Sequence, residues 1–396
     1  MAAGAGHGGA LGTGRHAGSG EVAPLAVPVG GKELCGEDLA AQADAWASGG
    51  QMEPDAAAAL RAVATGSAGG SLDGFVFVAL GGTSELCPVI PLLKMGATVA
   101  AVSRPNPAKL ATLVEAASKT AGTLLVPVPA GKEGEPLASV GGADVLTQAP
   151  EIAAWLKGLE PGKRLVVGSY IYLDGEAHVR ASAAMDAIVA DVLKGRPGTA
   201  LAYIGTPSIV YPVPTAAAEE AELRATSNGL WWYPLASAIL GPFEPAAGKK
   251  HKVKDRETGK EYCVFPGLSV TQGPNYALAK TMQAWRAVAA PEDHPGTLVS
   301  SRMAPVCRTE SVTHVKAVAR ALRGMPSFPP TKVYDAPVVS PVLAGLLVYD
   351  LTKATEAEGL HPMERLAERG FHGGMWRCPY TFQSVSKAAY IIGAMS

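Results

Sequence analysis

The stretch "FVFVALGGTSELCPVIPLLKMGATVAAVSR", residues 75–104, decides the fold. It opens with the apolar strand "FVFVAL", turns through "GGTSELC", enters the helix "PVIPLLKMG" and returns in a second strand, "TVAAVS". The helix "PAKLATLVEAASKT" and a third strand, "TLLVPVP", continue the alternation. Strands alternating with helices predict a parallel sheet covered by helices. This β-α-β-α-β order is one half of a doubly wound α/β fold, with right-handed crossovers. The second half follows in register as helix "PEIAAWLKGL", strand "RLVVGSYIY", helix "ASAAMDAIVADVLKG" and strand "TALAYIG".

Around this unit the chain divides by composition. Residues 1–22 are acid-poor and mostly Gly and Ala at the start, which predicts a flexible tail or, alternatively, an organelle transit segment. Residues 23–72 read as a helical extension through "GEDLAAQADAWAS" and "EPDAAAALRAVA", with Pro54 near the first turn of the second helix. Residues 73–396 form the Rossmann-like domain, interrupted at 211–268 by an aromatic and charged insertion expected to extend from the substrate side of the sheet. After it come the helix "NYALAKTMQAWRAVAA", the strand "GTLVSSRMAP" and the helix "SPVLAGLLVYDLTKA".

Charge and cysteine usage narrow the partners. A net charge of −1 and a pI near 6.7 provide no basic field for nucleic acid or an anionic membrane. No stretch reaches the roughly 18 apolar residues that span a bilayer, so a soluble chain is expected. The five cysteines are never closer than 40 residues, which argues against a zinc knuckle or a secreted disulfide framework. His and Cys spacing recommends no metal site. The expected setting is cytoplasmic, or an organelle stroma or matrix if the first residues are a transit segment. The expected partner is a small molecule, and a homo-oligomer stays open.

A first strand, tight turn and helix start place backbone N–H groups where a pyrophosphate can sit. Here that turn is Gly81 to Cys87. It resembles, incompletely, the glycine-rich turn of the short-chain dehydrogenase/reductase family: Gly81, Thr83 and Ser84 match, while Glu85 and Cys87 stand where later glycines are usual. Arg104 follows the second strand, where an acid would pair with the 2′-hydroxyl of NAD and a cation accommodates the 2′-phosphate of NADP. The cofactor expectation is therefore NADP(H).

"GPNYALAK", residues 273–280, carries the second part of the resemblance. Tyr276 and Lys280 lie four apart on one helix face, so a lysine ammonium can favour the phenolate of its neighbour. A second Tyr-x-x-x-Lys pair, Tyr349 with Lys353, falls inside a late amphipathic helix and is assigned to packing. In the family such a helix is followed by a strand and a Pro-containing loop with a small hydroxyl residue near the nicotinamide, and Ala304, Pro305, Arg308 and Thr309 sit like that loop. The family's substrate-holding hydroxyl corresponds to Thr206 by strand end or to Ser208 by residue identity. Ser208 and Tyr276 are 68 residues apart, an interval the insertion accounts for. The family's helix Asn is missing from "AAMDAIVADVL", where Asp186 is the nearest polar residue.

The resemblance thus implies Tyr276, Lys280, Thr206 and Ser208 as catalytic groups. It implies Gly81, Gly82, Thr83, Ser84, Glu85, Leu86, Ser103, Arg104, Tyr276, Lys280, Pro305 and Thr309 as cofactor contacts. Trp231, Trp232 and Tyr233 in the insertion suggest either a lid over an apolar substrate or packing against the body or a partner. The implied activity is reduction of a carbonyl, or of an activated double bond, by hydride transfer. The alternative is a noncatalytic binding or assembly module, motivated by Glu85, Cys87 and the missing Asn.

Overall fold

The computed structural model describes residues 9–206, 208–226, 233–244, 252–267, 273–352, 361–367 and 380–396. Strand β1 (Leu11–Ala17) comes first, then the hairpin of β2 (Ala26–Val29) and β3 (Lys32–Cys35) and the helices Gly36–Ser48 and Pro54–Ala64. Strands β4 (Phe75–Leu80), β5 (Thr98–Val102), β6 (Thr123–Pro129), β7 (Arg164–Ser169) and β8 (Ala200–Gly205) alternate with helices. The insertion contributes β9 (Val210–Val213), β10 (Lys252–Lys254) and β11 (Glu261–Pro266). Strand β12 (Val299–Met303) returns to the main sheet, and the short β13 (Cys307–Arg308) and β14 (Tyr334–Asp335) pair with each other.

The main sheet has the order β1-β6-β5-β4-β7-β8-β12, parallel throughout except for β1. Counting from β4, its six parallel strands stand in the order third, second, first, fourth, fifth, sixth, that of the dinucleotide-binding fold. The doubly wound α/β fold class read from residues 75–104 is the one observed. Alternation within β4 shows why its whole sequence is apolar. Phe77 and Ala79 enter one core with the helices Pro54–Ala64 and Ala336–Thr352, whereas Val76, Val78 and Leu80 enter a second with Ile152, Leu156, Met185 and Ile188. A strand buried on both faces has no position for a polar residue.

Two expectations change. Residues 11–17, placed in a flexible tail from their Gly-rich composition, form an antiparallel edge strand in register with Thr123–Pro129. The Trp155 indole N–H donates to the Thr13 hydroxyl at 2.9 Å, which fixes the strand from the helix side. Residues 1–8 of that tail lie outside the described residues. The helical extension at 23–72 also contains the β2–β3 hairpin, whose alternation is too short to stand out beside two Ala-rich helices.

The insertion builds its own antiparallel sheet, in the order β10-β11-β9, apart from the main one. Tyr211, Phe243 and Phe265 form a third core with Met303, Phe328, Tyr380 and Ala389. Although the helix Ala336–Thr352 packs in the first core, the insertion, residues 316–324 and the final helix therefore form one lobe. Its helices Lys316–Gly324 and Phe382–Met395 cross so closely that a Cβ on Gly324 would meet the Ala389 carbonyl, and one on Gly393 that of Arg320.

A buried ionic cluster joins the last long helix to the sheet. Arg302 on β12 donates through Nε to Asp350 Oδ2 at 2.8 Å and through Nη2 to Asp350 Oδ1, while the Ser300 hydroxyl donates to Oδ2 at 2.6 Å. Arg302 and Asp350 are each 8% exposed, so removing one partner leaves a desolvated charge. Asp350→Ala should lower stability by about 3 to 5 kcal/mol in urea denaturation, and adding Arg302→Met should recover a large part of it. A single variant as stable as wild type would show that the pair contributes nothing to docking this helix.

Candidate active site

The carboxyl ends of β4, β7, β8 and β12 converge on a cavity of about 830 Å³. Its position follows from topology, because the order of connection reverses at β4 and the helices leave in opposite directions, opening a crevice. Ser84 to Leu86 after β4, Ser169 to Tyr172 after β7, Ile204 to Thr206 at the end of β8 and Ala304 to Cys307 after β12 form its walls.

Tyr276 and Lys280, near the start of the helix Gly273–Asp293, project into this cavity. The Tyr276 hydroxyl donates to Thr206 Oγ1 at 3.3 Å. Of the two hydroxyls left open by the sequence, Thr206 is thus the one joined to the tyrosine. Ser208 lines the same cavity, and its backbone N–H is directed at Thr206 Oγ1 at 3.3 Å. The insertion connects the end of β8 to this helix without separating the two groups in space.

Lys280 Nζ donates to the Ile204 carbonyl and to Gln283 Oε1, both at 3.2 Å. Gln283, which is buried, donates onward to the Ser182 hydroxyl at 3.4 Å. Sequence reasoning offered Asp186 as the polar residue nearest the missing helix Asn, but Asp186 holds Arg286 through two bonds, at 2.6 and 2.9 Å. The available signal was Gln283 itself, three residues after Lys280 and therefore on its face of the helix.

The surroundings are poor in compensating charge. Burial pushes the Lys280 ammonium down to about 8. His178 stacks on the Tyr276 ring with centroids 5.4 Å apart and planes 15° from parallel. Its Nδ1 accepts from the Leu173 N–H at 3.3 Å, which leaves the proton on Nε2. Burial, and secondarily the Lys280 charge, push His178 down to about 4, so it is neutral at physiological pH. Tyr172, a second phenol facing Tyr276 at 5.9 Å, is raised to about 12 by burial and then by Asp174, whose Oδ1 it approaches at 3.2 Å. That makes Tyr172 a poorer proton donor at neutral pH than a free phenol.

At the other end, Gly81 adopts φ +103°, and a Cβ there would come within 2.7 Å of the Ile171 nitrogen. Gly81 and Gly82 both donate to the Val102 carbonyl, at 2.8 and 3.1 Å, so the turn folds over the end of β5. Ser84, Glu85 and Leu86 line the cavity, as do Pro305 and Thr309 from the opposite wall, whereas Gly81, Gly82, Thr83, Ser103 and Arg104 do not. Ser103 is buried, and Arg104 is exposed at the end of β5.

Two features depart from the expected phosphate cradle. The helix after the turn, Val89–Lys94, has only six residues and starts behind Pro88, and the intervening residues make turns closed by Ser84 N–H to Gly81 and Cys87 N–H to Ser84. Glu85 Oε2 accepts from the Glu310 N–H at 2.8 Å, linking the turn to the loop after β12. Cys87 is buried against the sheet, and burial raises its thiol far above the ordinary range. Tyr276, Lys280 and Thr206 thus gather on one part of the cavity wall. On another, the turn after β4 presents Glu85, whose carboxylate is already engaged.

The lid residues are placed in part. Trp231 and Trp232 lie outside the described residues. Tyr233, half-buried against the third core, packs edge-on on Phe243 at 5.1 Å and does not line the cavity, and Leu240, from the same helix Tyr233–Leu240, lines it. Tyr349 packs at the edge of the first core, and Lys353 is outside the described residues. Among the described residues, no cluster of His, Cys, Asp or Glu could hold a metal ion, and no helix is long and apolar enough to cross a membrane.

No protein-family model and no curated protein matches the sequence. Among solved structures, the chain is similar to a short-chain dehydrogenase/reductase from Serratia marcescens, at 12% identity over 71% of this chain and 91% of that one, with a TM-score of 0.38. It is also similar to BdcA in complex with NADPH, at 12% identity over 72% and 92%, with a TM-score of 0.40. A third, a short-chain dehydrogenase/reductase of Brucella melitensis described as a glucose/ribitol dehydrogenase, gives 10% identity over 70% and 90%, with a TM-score of 0.41.

The neutral His178 has a measurable signature. An unfolded histidine takes up its proton near 6.5 and the folded one near 4, so native stability should fall as pH drops through that window. Urea denaturation of His178→Phe, which keeps a ring against Tyr276, should show this part of the slope removed. An unchanged slope would mean that His178 titrates normally in the folded protein.

Proposed function

We propose that the chain is an NADP-dependent oxidoreductase of the short-chain dehydrogenase/reductase type, reducing a carbonyl, or an activated double bond, of a small apolar molecule. The observation that carries this reading is the Tyr276 hydroxyl bonded at 3.3 Å to Thr206 Oγ1, on a cavity wall shared with Lys280. A bound nicotinamide supplies the hydride. The chain's own groups handle the proton and the orientation. Thr206, with Ser208 beside it, holds the substrate oxygen against the tyrosine, and Tyr276 gives its phenolic proton to that oxygen.

Lys280 acts on Tyr276 electrostatically. A cation beside a phenol favours the phenolate and so makes the proton easier to release. With Lys280 lowered to about 8, that charge is present below this pH and lost as pH rises through it. The Ile204 carbonyl and Gln283 fix the ammonium without a neutralising carboxylate, and the same ammonium can contact the nicotinamide ribose. Ser84, Leu86, Pro305 and Thr309 form the remaining cofactor wall. Arg104, exposed beyond β5, is assigned to the 2′-phosphate, with Ser103 and the turn at Gly81, Gly82 and Thr83 supporting the path to it.

The second reading, a noncatalytic binding module, is favoured by Glu85, whose carboxylate bridges to Glu310 where a pyrophosphate would lie. Calorimetric titration with NADPH separates the two, since the module gives no heat. Within the enzymatic reading, Tyr276→Phe keeps the ring and removes the proton donor. Its turnover should fall on the order of 10²-fold or more, while Tyr349→Phe stays near wild type. A Tyr276→Phe enzyme with undiminished kcat would remove the tyrosine from the chemistry.

A further inference from the structure

Away from Tyr276 the cavity changes character. Leu240, Val306, Val318, Leu322 and Met325 give it an apolar wall, roofed by the crossing helices Lys316–Gly324 and Phe382–Met395. From the second of these, Lys387, Tyr390 and Ile391 line the cavity at positions three and four apart, hence on one helix face. Tyr390 and Ile391 are 37% and 47% exposed although they line the cavity, which marks them as its mouth.

Among the described residues that form this mouth, the charge has one sign. Arg320 Nη1 donates to the Tyr390 hydroxyl at 2.9 Å, with its guanidinium 5.8 Å from the ring centre, and Lys387 is exposed three residues before Tyr390 on the same helix. Residues 311–334 and 380–396 contain no Asp or Glu at all. Among the described residues, the carboxylates that line the cavity, Glu85 and Asp174, belong to the loops after β4 and β7, where the Glu310 N–H and the Tyr172 hydroxyl engage them. A lysine in this position lays its methylene stem along apolar surface and keeps its charge at the water boundary.

We infer that the cavity takes an amphiphile with a long apolar body and an anionic head, the head held at Lys387 and the body lying beneath the roof helices toward Tyr276. The inference names the substrate class for the reductive site described above and rests on that reading for the fate of the ligand. Binding itself requires neither cofactor nor turnover, so the two stand or fall by different measurements.

The probe is parinaric acid, a fluorescent long-chain carboxylate, compared with its uncharged methyl ester. The acid should bind more tightly than the ester. Lys387→Met should weaken the acid by about fivefold, the upper range for an ion pair at a water boundary, and leave the ester unchanged. Added NaCl should reproduce that difference in the wild type. Ala321 also lines this wall, and Ala321→Trp, which fills it, should abolish binding of both. Displacement by dodecanoate or by dodecyl phosphate distinguishes a carboxylate head from a phosphate head. Equal binding of acid and ester, indifference of the acid to Lys387→Met, or no binding of either probe would overturn the inference. Loss of turnover in Tyr276→Phe with parinarate binding intact would keep the catalytic reading separate from it.

Discussion

The constraint on which the structure depends is the burial of parallel strands from both sides. Strands β4 to β8 have no solvent face, so helices must cover each surface, and the crossovers that deliver them reverse direction at β4. That reversal leaves the crevice at the carboxyl ends of the strands. The groups with chemical capability arrive there from four separate loops and one helix, none of which could form a site alone.

Within the crevice, low polarity shifts the ionisable groups. Lys280 is held by a carbonyl and an amide, not by a carboxylate. The stacked His178 stays neutral and adds no competing cation, and Tyr172 is driven away from ionisation by burial. Of the two phenols in contact, Tyr276 is the one bonded to the Thr206 hydroxyl.

Much of this arrangement was legible in the sequence. The apolar run Phe75–Leu80 could only be a covered strand, and Tyr276 with Lys280 had to share a helix face. The resemblance pointed to Thr206 by strand end and to Ser208 by residue identity, and the 3.3 Å bond from Tyr276 to Thr206 is a contact no spacing could give. What stayed hidden depended on partners distant in sequence. The strand "LGTGRHA" is poor in large apolar residues, and its ladder is dictated by β6 and by Trp155. The Glu85–Glu310 bond spans 225 residues, and the roof is made by helices that meet only because Gly324 and Gly393 lack side chains. Tyr233, for which aromatic composition left lid and packing both open, is half-buried and packs edge-on against Phe243.

The central claim is that this crevice is a dinucleotide site extending from the turn after β4 to Tyr276. Hydrogen exchange with and without saturating NADPH tests it along the whole backbone. The account predicts slowed exchange in the loops at 81–86, 169–175 and 304–311 and in the first turns of the helix Gly273–Asp293, with the β2–β3 hairpin unchanged. Identical exchange in all of these segments, with and without NADPH, would contradict it.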